Sequence, residues 1–191
     1  MFPTKRITAI AIAALTATTA CTPAKKVSDA QSPTASETVT DDTSATSLAE
    51  GKRVFRDDTY GDEQFWTDTL HLNDVIEKAV DPTTALKVGL KVDADALPPG
   101  ILKKVDLKSP ATTVALLKMN AIVGVRATVD SNNHITRLGV TCALCHSTVD
   151  NSVMPGIGHR MDGWPNHDLN VGAIIALSPA VTPAQKTVYS G

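Results

Sequence analysis

Aromatic residues, net charge and long apolar segments are all scarce in this 191-residue chain. Aromatic side chains make up 4% of it, which is few for a large aromatic-lined pocket. The formal net charge of −2 implies no strong attraction to nucleic acid. No catalytic triad, phosphate-binding loop or paired-carboxylate site stands out. The 42% of hydrophobic residues is nevertheless enough for a globular core.

One short motif carries most of the chemical information in the chain. Cys142, Cys145 and His146 form the pattern C-x-x-C-H, the attachment signature of a c-type haem. Cysteines three residues apart in a helical turn share one face, so both sulfurs can form thioethers with the vinyl groups of one porphyrin. The adjacent His146 can then bind the iron as its proximal ligand. We therefore predict one covalent haem c.

A redox-active or zinc-binding C-x-x-C is the alternative interpretation of this motif. A zinc site usually takes four ligands from paired motifs, and the chain has no second C-x-x-C. A thioredoxin-like motif would be expected in a strand–helix–strand context, which the sequence around Cys142 does not show. Haem attachment remains the favoured interpretation.

The N-terminus has the features of an export signal. Lys5 and Arg6 precede an uncharged apolar run over residues 7–20, which is too short to span a bilayer. Cys21 follows directly, and the arrangement resembles a bacterial lipoprotein signal in which this cysteine becomes the lipidated first residue. Ordinary cleavage after residue 20 is the alternative. Both alternatives predict a periplasmic protein, and lipidation also predicts attachment to a membrane.

The composition divides the chain into three parts. Residues 1–20 are the predicted signal peptide. Residues 21–49, dominated by small and polar side chains, are predicted to be the lipidated cysteine and a disordered linker. Residues 50–191 are predicted to be the haem domain, entered through a capping pattern at Ser47.

Hydrophobic periodicity predicts several helices and two strand regions in the haem domain. Alternation over residues 86–92 predicts a half-buried strand, and alternation over 123–129 and 134–140 predicts a β-hairpin that leads into the motif. Residues 147–166 are rich in glycine and proline and predict a loop. The predicted helices cover approximately residues 47–56, 62–70, 73–80, 109–121, 168–177 and 183–191.

Four segments resemble those of a known family. Gly51–Phe55 resembles the first helix of many cytochromes c, and Phe55–Trp66, Gly139–Asp150 and Asp162–Ala173 resemble exported bacterial c-type cytochromes related to di-haem cytochrome c peroxidases. Members of that group tend to carry a second C-x-x-C-H further along, so this chain resembles their N-terminal, single-haem portion. The resemblance implies a mainly α, cytochrome c-like helical domain with a small β-hairpin or strand insertion before the haem motif.

The second axial ligand of the iron is open at this level. Met154, His159, Met161 and His167 all follow the motif and could supply it. His159 is retained as the distal candidate. An absent or open sixth position is the alternative, and it would favour ligand binding or catalysis over electron transfer.

These features predict a periplasmic electron carrier with one haem c, rather than an enzyme. Two alternatives stay open: the N-terminal haem domain of a di-haem peroxidase-like enzyme, and a haem-based gas or redox sensor. The expected partners are an unidentified redox protein and a membrane reached through the lipid anchor at Cys21.

Overall fold

Residues 43–189 are described by a computed structural model of the chain. The predicted signal peptide, the predicted lipidation at Cys21 and most of the predicted linker lie outside these residues. Between residues 43 and 189 no helix is long and apolar enough to cross a bilayer.

The first helix, α1, spans Ala45–Asp57 and begins slightly earlier than predicted. Ser44, not Ser47, is its N-cap, and the Ser44 hydroxyl accepts a hydrogen bond of 3.2 Å from the Ser47 N–H. That bond satisfies one of the four N–H groups left free at a helix start. The last residues assigned to the linker are therefore helical.

The other helices connect the strands and pack around one core. A π-helical segment covers Gln64–Thr69, and two single 3₁₀ turns cover Ala94–Ala96 and Ile101–Lys103. The α-helices after α1 are α2 (Leu72–Ala79), α3 (Pro82–Lys87), α4 (Pro110–Lys118), α5 (Ala143–His146), α6 (Val171–Ala176) and α7 (Pro183–Tyr189).

Six short strands form three two-stranded sheets in the described part of the chain. In the first sheet the strands are parallel, and in the other two they are antiparallel. The pairs are β1 (Val92–Asp93) with β5 (Ile157–Gly158), β2 (Val125–Val129) with β3 (Ile135–Val140), and β4 (Ser147–Val149) with β6 (Arg160–Asp162).

The predicted hairpin is confirmed. β2 and β3 pair in register from Val125 opposite Val140, with a bulge near the turn between residues 128 and 129. Asn133 closes the turn with a φ of 63°, the left-handed conformation that asparagine tolerates best among non-glycine residues. The hairpin delivers the chain to the motif, because β3 ends two residues before Cys142.

The predicted fold class is wrong, because the structure is mixed α/β rather than mainly helical. Helix accounts for 45% and strand for 16% of the structure. Residues 147–166, predicted to be a loop, contain β4, β5 and β6. These strands have only two or three residues each, so their sequences carry too little alternation to be recognised.

The predicted strand over residues 86–92 is also wrong. Pro82 at the first position starts α3, which continues to Lys87. Gly89 then turns the chain with a φ of +87°, and only Val92 enters a strand. The alternating apolar residues Leu86, Leu90 and Val92 all pack into the core, but from a helix, a turn and a strand end respectively.

A single apolar core holds these elements together. It contains Trp66 and Leu72 from the N-terminal helices, Leu117 from α4 and Leu138 from the hairpin. Leu144, the middle residue of the C-x-x-C-H motif, belongs to the same cluster and is 5% exposed. The motif is therefore attached directly to the core rather than carried on a surface loop.

Candidate haem attachment site

The motif forms a single helical turn with two different sides. The thiols of Cys142 and Cys145 are free, and both cysteines and His146 are exposed. Ala143 and Leu144, between the cysteines, are 0% and 5% exposed and pack inward. The arrangement presents all three reactive side chains to solvent while the two apolar residues anchor the turn.

The imidazole of His146 is oriented by the motif itself. Its Nδ1 lies 3.3 Å from the carbonyl oxygen of Cys142, and the His146 N–H donates to the same oxygen over 3.1 Å. With the proton on Nδ1, the lone pair of Nε2 points away from this contact and can bind a metal. A ligating histidine characteristically donates its other ring N–H to such a carbonyl.

Backbone hydrogen bonds fix the motif at both ends. At its C-terminal end the N–H of Gly163 donates to His146 O, and the N–H of Asn166 donates to Cys145 O, each over 2.9 Å. Just before its N-terminal end the Thr141 N–H donates to Gly124 O over 2.9 Å. A β-carbon added at Gly124 would lie 2.1 Å from the Leu144 nitrogen, so the hairpin backbone is pressed directly against α5.

A partly buried polar cluster lies directly after the motif. Ser147 is fully buried and its hydroxyl donates to Asp162 over 2.8 Å. Arg56 and Arg160 also donate to the Asp162 carboxylate, each over 2.6 Å. Burial by itself would raise the pKa of Asp162, but the bonds from Ser147 and Arg56 and the charge of Arg160 lower it. The carboxylate therefore stays ionised and ties α1 to β4 and β6.

The distal candidate His159 lies opposite Asp150, whose N–H donates to His159 O over 3.1 Å. Its Nδ1 lies 2.7 Å from Asp95 Oδ1, a contact that raises the pKa of the imidazole. The assignment of His159 as an iron ligand stays a prediction.

The other three possible distal ligands lie at different depths. Met161 is half-buried and pairs with Thr148 across the β4–β6 sheet, and Met154 is 37% exposed. His167 is exposed, and it follows Asn166, whose N–H binds the motif. The backbone of His167 is thus beside the motif.

The donor set of the motif fits a haem. Residues 43–189 contain no group of three or more histidine, cysteine or acidic side chains placed to hold a bare metal ion. Two solvent-facing thiols and one imidazole with a free Nε2 are the groups that a covalent porphyrin needs, since the porphyrin supplies four iron ligands.

Two exposed aromatic residues accompany the motif, and the sequence analysis did not single them out. Tyr60 is 70% exposed, and its phenol is close enough to Cys142 for the two groups to interact. Trp164, 62% exposed, lies between the two residues whose N–H groups bind the motif. The sequence feature that could have drawn attention to them is their rarity, because the chain has only two tryptophans and two tyrosines.

Comparison with known proteins found no relative of this chain. No family model matches the chain, and no curated protein or solved structure is detectably similar to it. The resemblance to cytochromes related to di-haem peroxidases therefore stays a prediction from four sequence segments.

Proposed function

We propose that this protein is a periplasmic c-type cytochrome that carries one covalent haem and transfers electrons. The supporting observation is the two-sided motif: Cys142, Cys145 and His146 face solvent while Leu144 is buried in the core. A haem bound there would supply reversible one-electron chemistry at its iron.

Each residue of the motif has a defined task in this proposal. The sulfurs of Cys142 and Cys145 hold the cofactor covalently, and Nε2 of His146 binds the iron. The Cys142 carbonyl keeps the imidazole in one orientation through Nδ1. Gly163 and Asn166 fix the backbone of the turn, so the three side chains need little rearrangement when the cofactor arrives.

The test is expression in a host that has the haem-attachment machinery. The purified protein should be red and heavier than its apoprotein by one haem. Replacing both cysteines, Cys142→Ser with Cys145→Ser, should abolish the mass gain. His146→Ala should change the optical spectrum, whereas His134→Ala, at an exposed histidine paired with Glu77, should not. A colourless wild-type protein with the mass of the apoprotein would contradict the proposal.

We extend the proposal to location. Residues 1–20 would direct export, and a lipid on Cys21 would hold the mature protein at a membrane. Cys21→Ser should move the haem-loaded protein from the membrane to the soluble periplasmic fraction without changing its haem content. Unchanged fractionation would argue instead for plain signal cleavage.

An open sixth coordination position is the second candidate, and it would suit a gas or redox sensor or a peroxidase-like domain. The observation that favours it is the contact of 2.7 Å between His159 Nδ1 and Asp95 Oδ1, which gives the distal candidate a partner of its own. The reduced protein should then bind CO rapidly, whereas a six-coordinate electron carrier should not react with it. His159→Ala should leave the optical spectrum unchanged if the sixth position is open and should change it if His159 is the distal ligand.

A further inference from the structure

We propose that Tyr60 and Trp164 are haem-contacting residues that form two walls of the cofactor site. This inference rests on the proposed function and assigns residues outside the C-x-x-C-H motif to the same site. It is carried by where the fold holds these two side chains and by their exposure.

The turn that carries Tyr60 is fixed to the strand leading into the motif. Asp62 accepts a hydrogen bond of 3.1 Å from the Val140 N–H, two residues before Cys142. A β-carbon on Gly139 would lie 2.7 Å from Asp62 Oδ1 and 2.8 Å from the Thr59 methyl group, so the turn and the strand are in direct contact. The position of Tyr60 relative to Cys142 is thus set by half-buried contacts.

The backbone of Tyr60 is strained. Its φ is +55°, a left-handed conformation that few aromatic residues adopt. The Tyr60 N–H donates a hydrogen bond of 2.8 Å to Asp58 Oδ1. Desolvation followed by the charge of Cys142 raises the pKa of the phenol. A strained residue that presents an exposed ring, on a turn packed against the strand leading into the motif, points to a functional role.

Trp164 is held at the C-terminal end of the motif. Its neighbours Gly163 and Asn166 bind the carbonyl oxygens of His146 and Cys145, so the indole projects from a backbone that is locked to α5. The indole is 62% exposed. Phe65 is also exposed, but its ring packs edge-on against Trp66 at 5.2 Å and already has a protein partner.

A porphyrin is the chemical group that would cover the rings of both Tyr60 and Trp164. It presents a large flat apolar face, and aromatic side chains pack well against such a surface. Cys142, whose sulfur would form a thioether, is also a residue whose charge raises the pKa of the Tyr60 phenol. The two exposed rings would then be buried by the cofactor rather than by another protein.

The first experiment uses the two indole N–H groups of wild-type holoprotein as reporters. In ¹⁵N-labelled protein each tryptophan gives one indole signal, and the Trp66→Phe variant assigns them. Ferric iron shifts and broadens signals steeply with proximity. The Trp164 signal should be lost or strongly shifted in the ferric state and recovered in the low-spin ferrous state, which is diamagnetic. A sharp Trp164 signal at one position in both states would overturn the assignment of Trp164.

The second experiment measures the reduction potential of haem-loaded variants. Tyr60→Asn keeps a residue that tolerates positive φ but removes the ring, and Trp164→Ala removes the indole. Both should shift the potential downward, because water then reaches the haem and favours the charged ferric state. Tyr60→Phe and Trp164→Phe should retain the wild-type potential, as should Tyr189→Asn at an exposed tyrosine on α7.

The outcomes separate this inference from the function on which it rests. Wild-type protein without haem would refute the proposed function. Fully haem-loaded Tyr60→Asn and Trp164→Ala variants with unchanged potentials would overturn the wall assignment and leave the proposed function intact. The indole experiment needs no variant at Trp164, so it remains decisive if Trp164→Ala fails to fold.

Discussion

Gly124 lies where the β-hairpin meets the helical turn of the C-x-x-C-H motif. Its φ is +73°, and an added β-carbon would lie 2.1 Å from the nitrogen of Leu144 and 2.2 Å from its α-carbon. Backbone atoms of a buried turn cannot move aside as a flexible side chain can. A side chain at this position must therefore separate the hairpin from the motif.

Gly124→Ala should destabilise the domain by about 2–5 kcal/mol, combining left-handed strain with overpacking. It should also lower the yield of haem attachment, because the turn would be displaced. Urea unfolding of the apoprotein measures the first effect, and haem content measures the second. Gly100→Ala is the control, since Gly100 has the same φ but no atom within 4 Å. Equal losses for both variants would show that the contact with Leu144 is unimportant.

Glu77 joins the hairpin to α2 through two bonds at one end of β3. Its carboxylate accepts from the Ile135 N–H over 2.5 Å and lies 3.1 Å from His134 Nδ1. The hydrogen bond to Glu77, followed by the charge of Glu77, raises the pKa of His134. The stabilisation from this pair is fully present below about pH 6.5, the ordinary histidine value, and is lost as pH rises through the folded pKa.

Glu77→Gln should lower the pKa of His134 towards its ordinary value. An NMR pH titration of the His134 ring measures this shift. Asp95→Asn serves as the control because it should lower the pKa of His159, which Asp95 raises, and leave His134 unchanged. A His134 titration unaffected by Glu77→Gln would show that the two side chains do not interact in solution.

At the scale of elements, Asp162 connects three segments that are distant in sequence. Arg160 is on its own strand, Ser147 is on the paired strand, and Arg56 is on α1, 106 residues earlier. The Arg160 side chain is 5% exposed, and Asp162 is the carboxylate with which its guanidinium pairs. A buried charge that loses its partner costs more than the pair itself is worth.

Asp162→Asn should destabilise the domain by about 3 kcal/mol, because Arg160 would be left buried and unpaired. The wild-type protein should lose the contribution of Asp162 as pH falls through its lowered folded pKa, and the variant should lack that dependence. Thermal unfolding from neutral to acidic pH measures both effects. Glu50→Gln, which breaks the exposed pair with Arg53, should have a much smaller effect.

Local patterns were sufficient to predict some elements and not others. The hairpin was predictable because its strands alternate over five and six residues around a turn of Asp130 to Asn133. The pairs β1–β5 and β4–β6 were not, because each strand is two or three residues long and its partner is fixed by the tertiary fold. A fold class based on the longer patterns alone therefore overestimated the helical character.

The same division applies to the site. The haem-attachment role of the three motif residues is a prediction from their spacing alone, and the structure adds that all three are exposed on one helical turn. The surroundings of the distal candidate were not predictable, because the position of His159 depends on the β4–β6 register and on Asp95, 64 residues away. Tyr60 was missed for the same reason, since its proximity to Cys142 arises from the contact of its turn with β3.

For the whole molecule, the motif is the outer layer of the one core that the described elements share. A cavity of about 60 Å³ lies behind it, lined by Leu144 and by residues from α2, α4, α6 and the hairpin. Thr113 lines the same cavity, and its hydroxyl is buried with no hydrogen-bond partner in the described structure. Because the cavity already weakens packing at this point, the remaining contacts of Leu144 are especially important.

Leu144→Ala should enlarge this cavity and destabilise the domain by about 3–5 kcal/mol. It should also reduce haem attachment, because Leu144 anchors the turn that presents Cys142 and Cys145. Leu116→Ala, at a residue 3% exposed in α4, is the matched control: it should lose comparable stability but keep more of its haem content. Urea unfolding and haem-to-protein ratio measure the two effects. If haem content followed stability alone in both variants, the anchoring role assigned to Leu144 would be wrong, and the core would serve the motif only by keeping the domain folded.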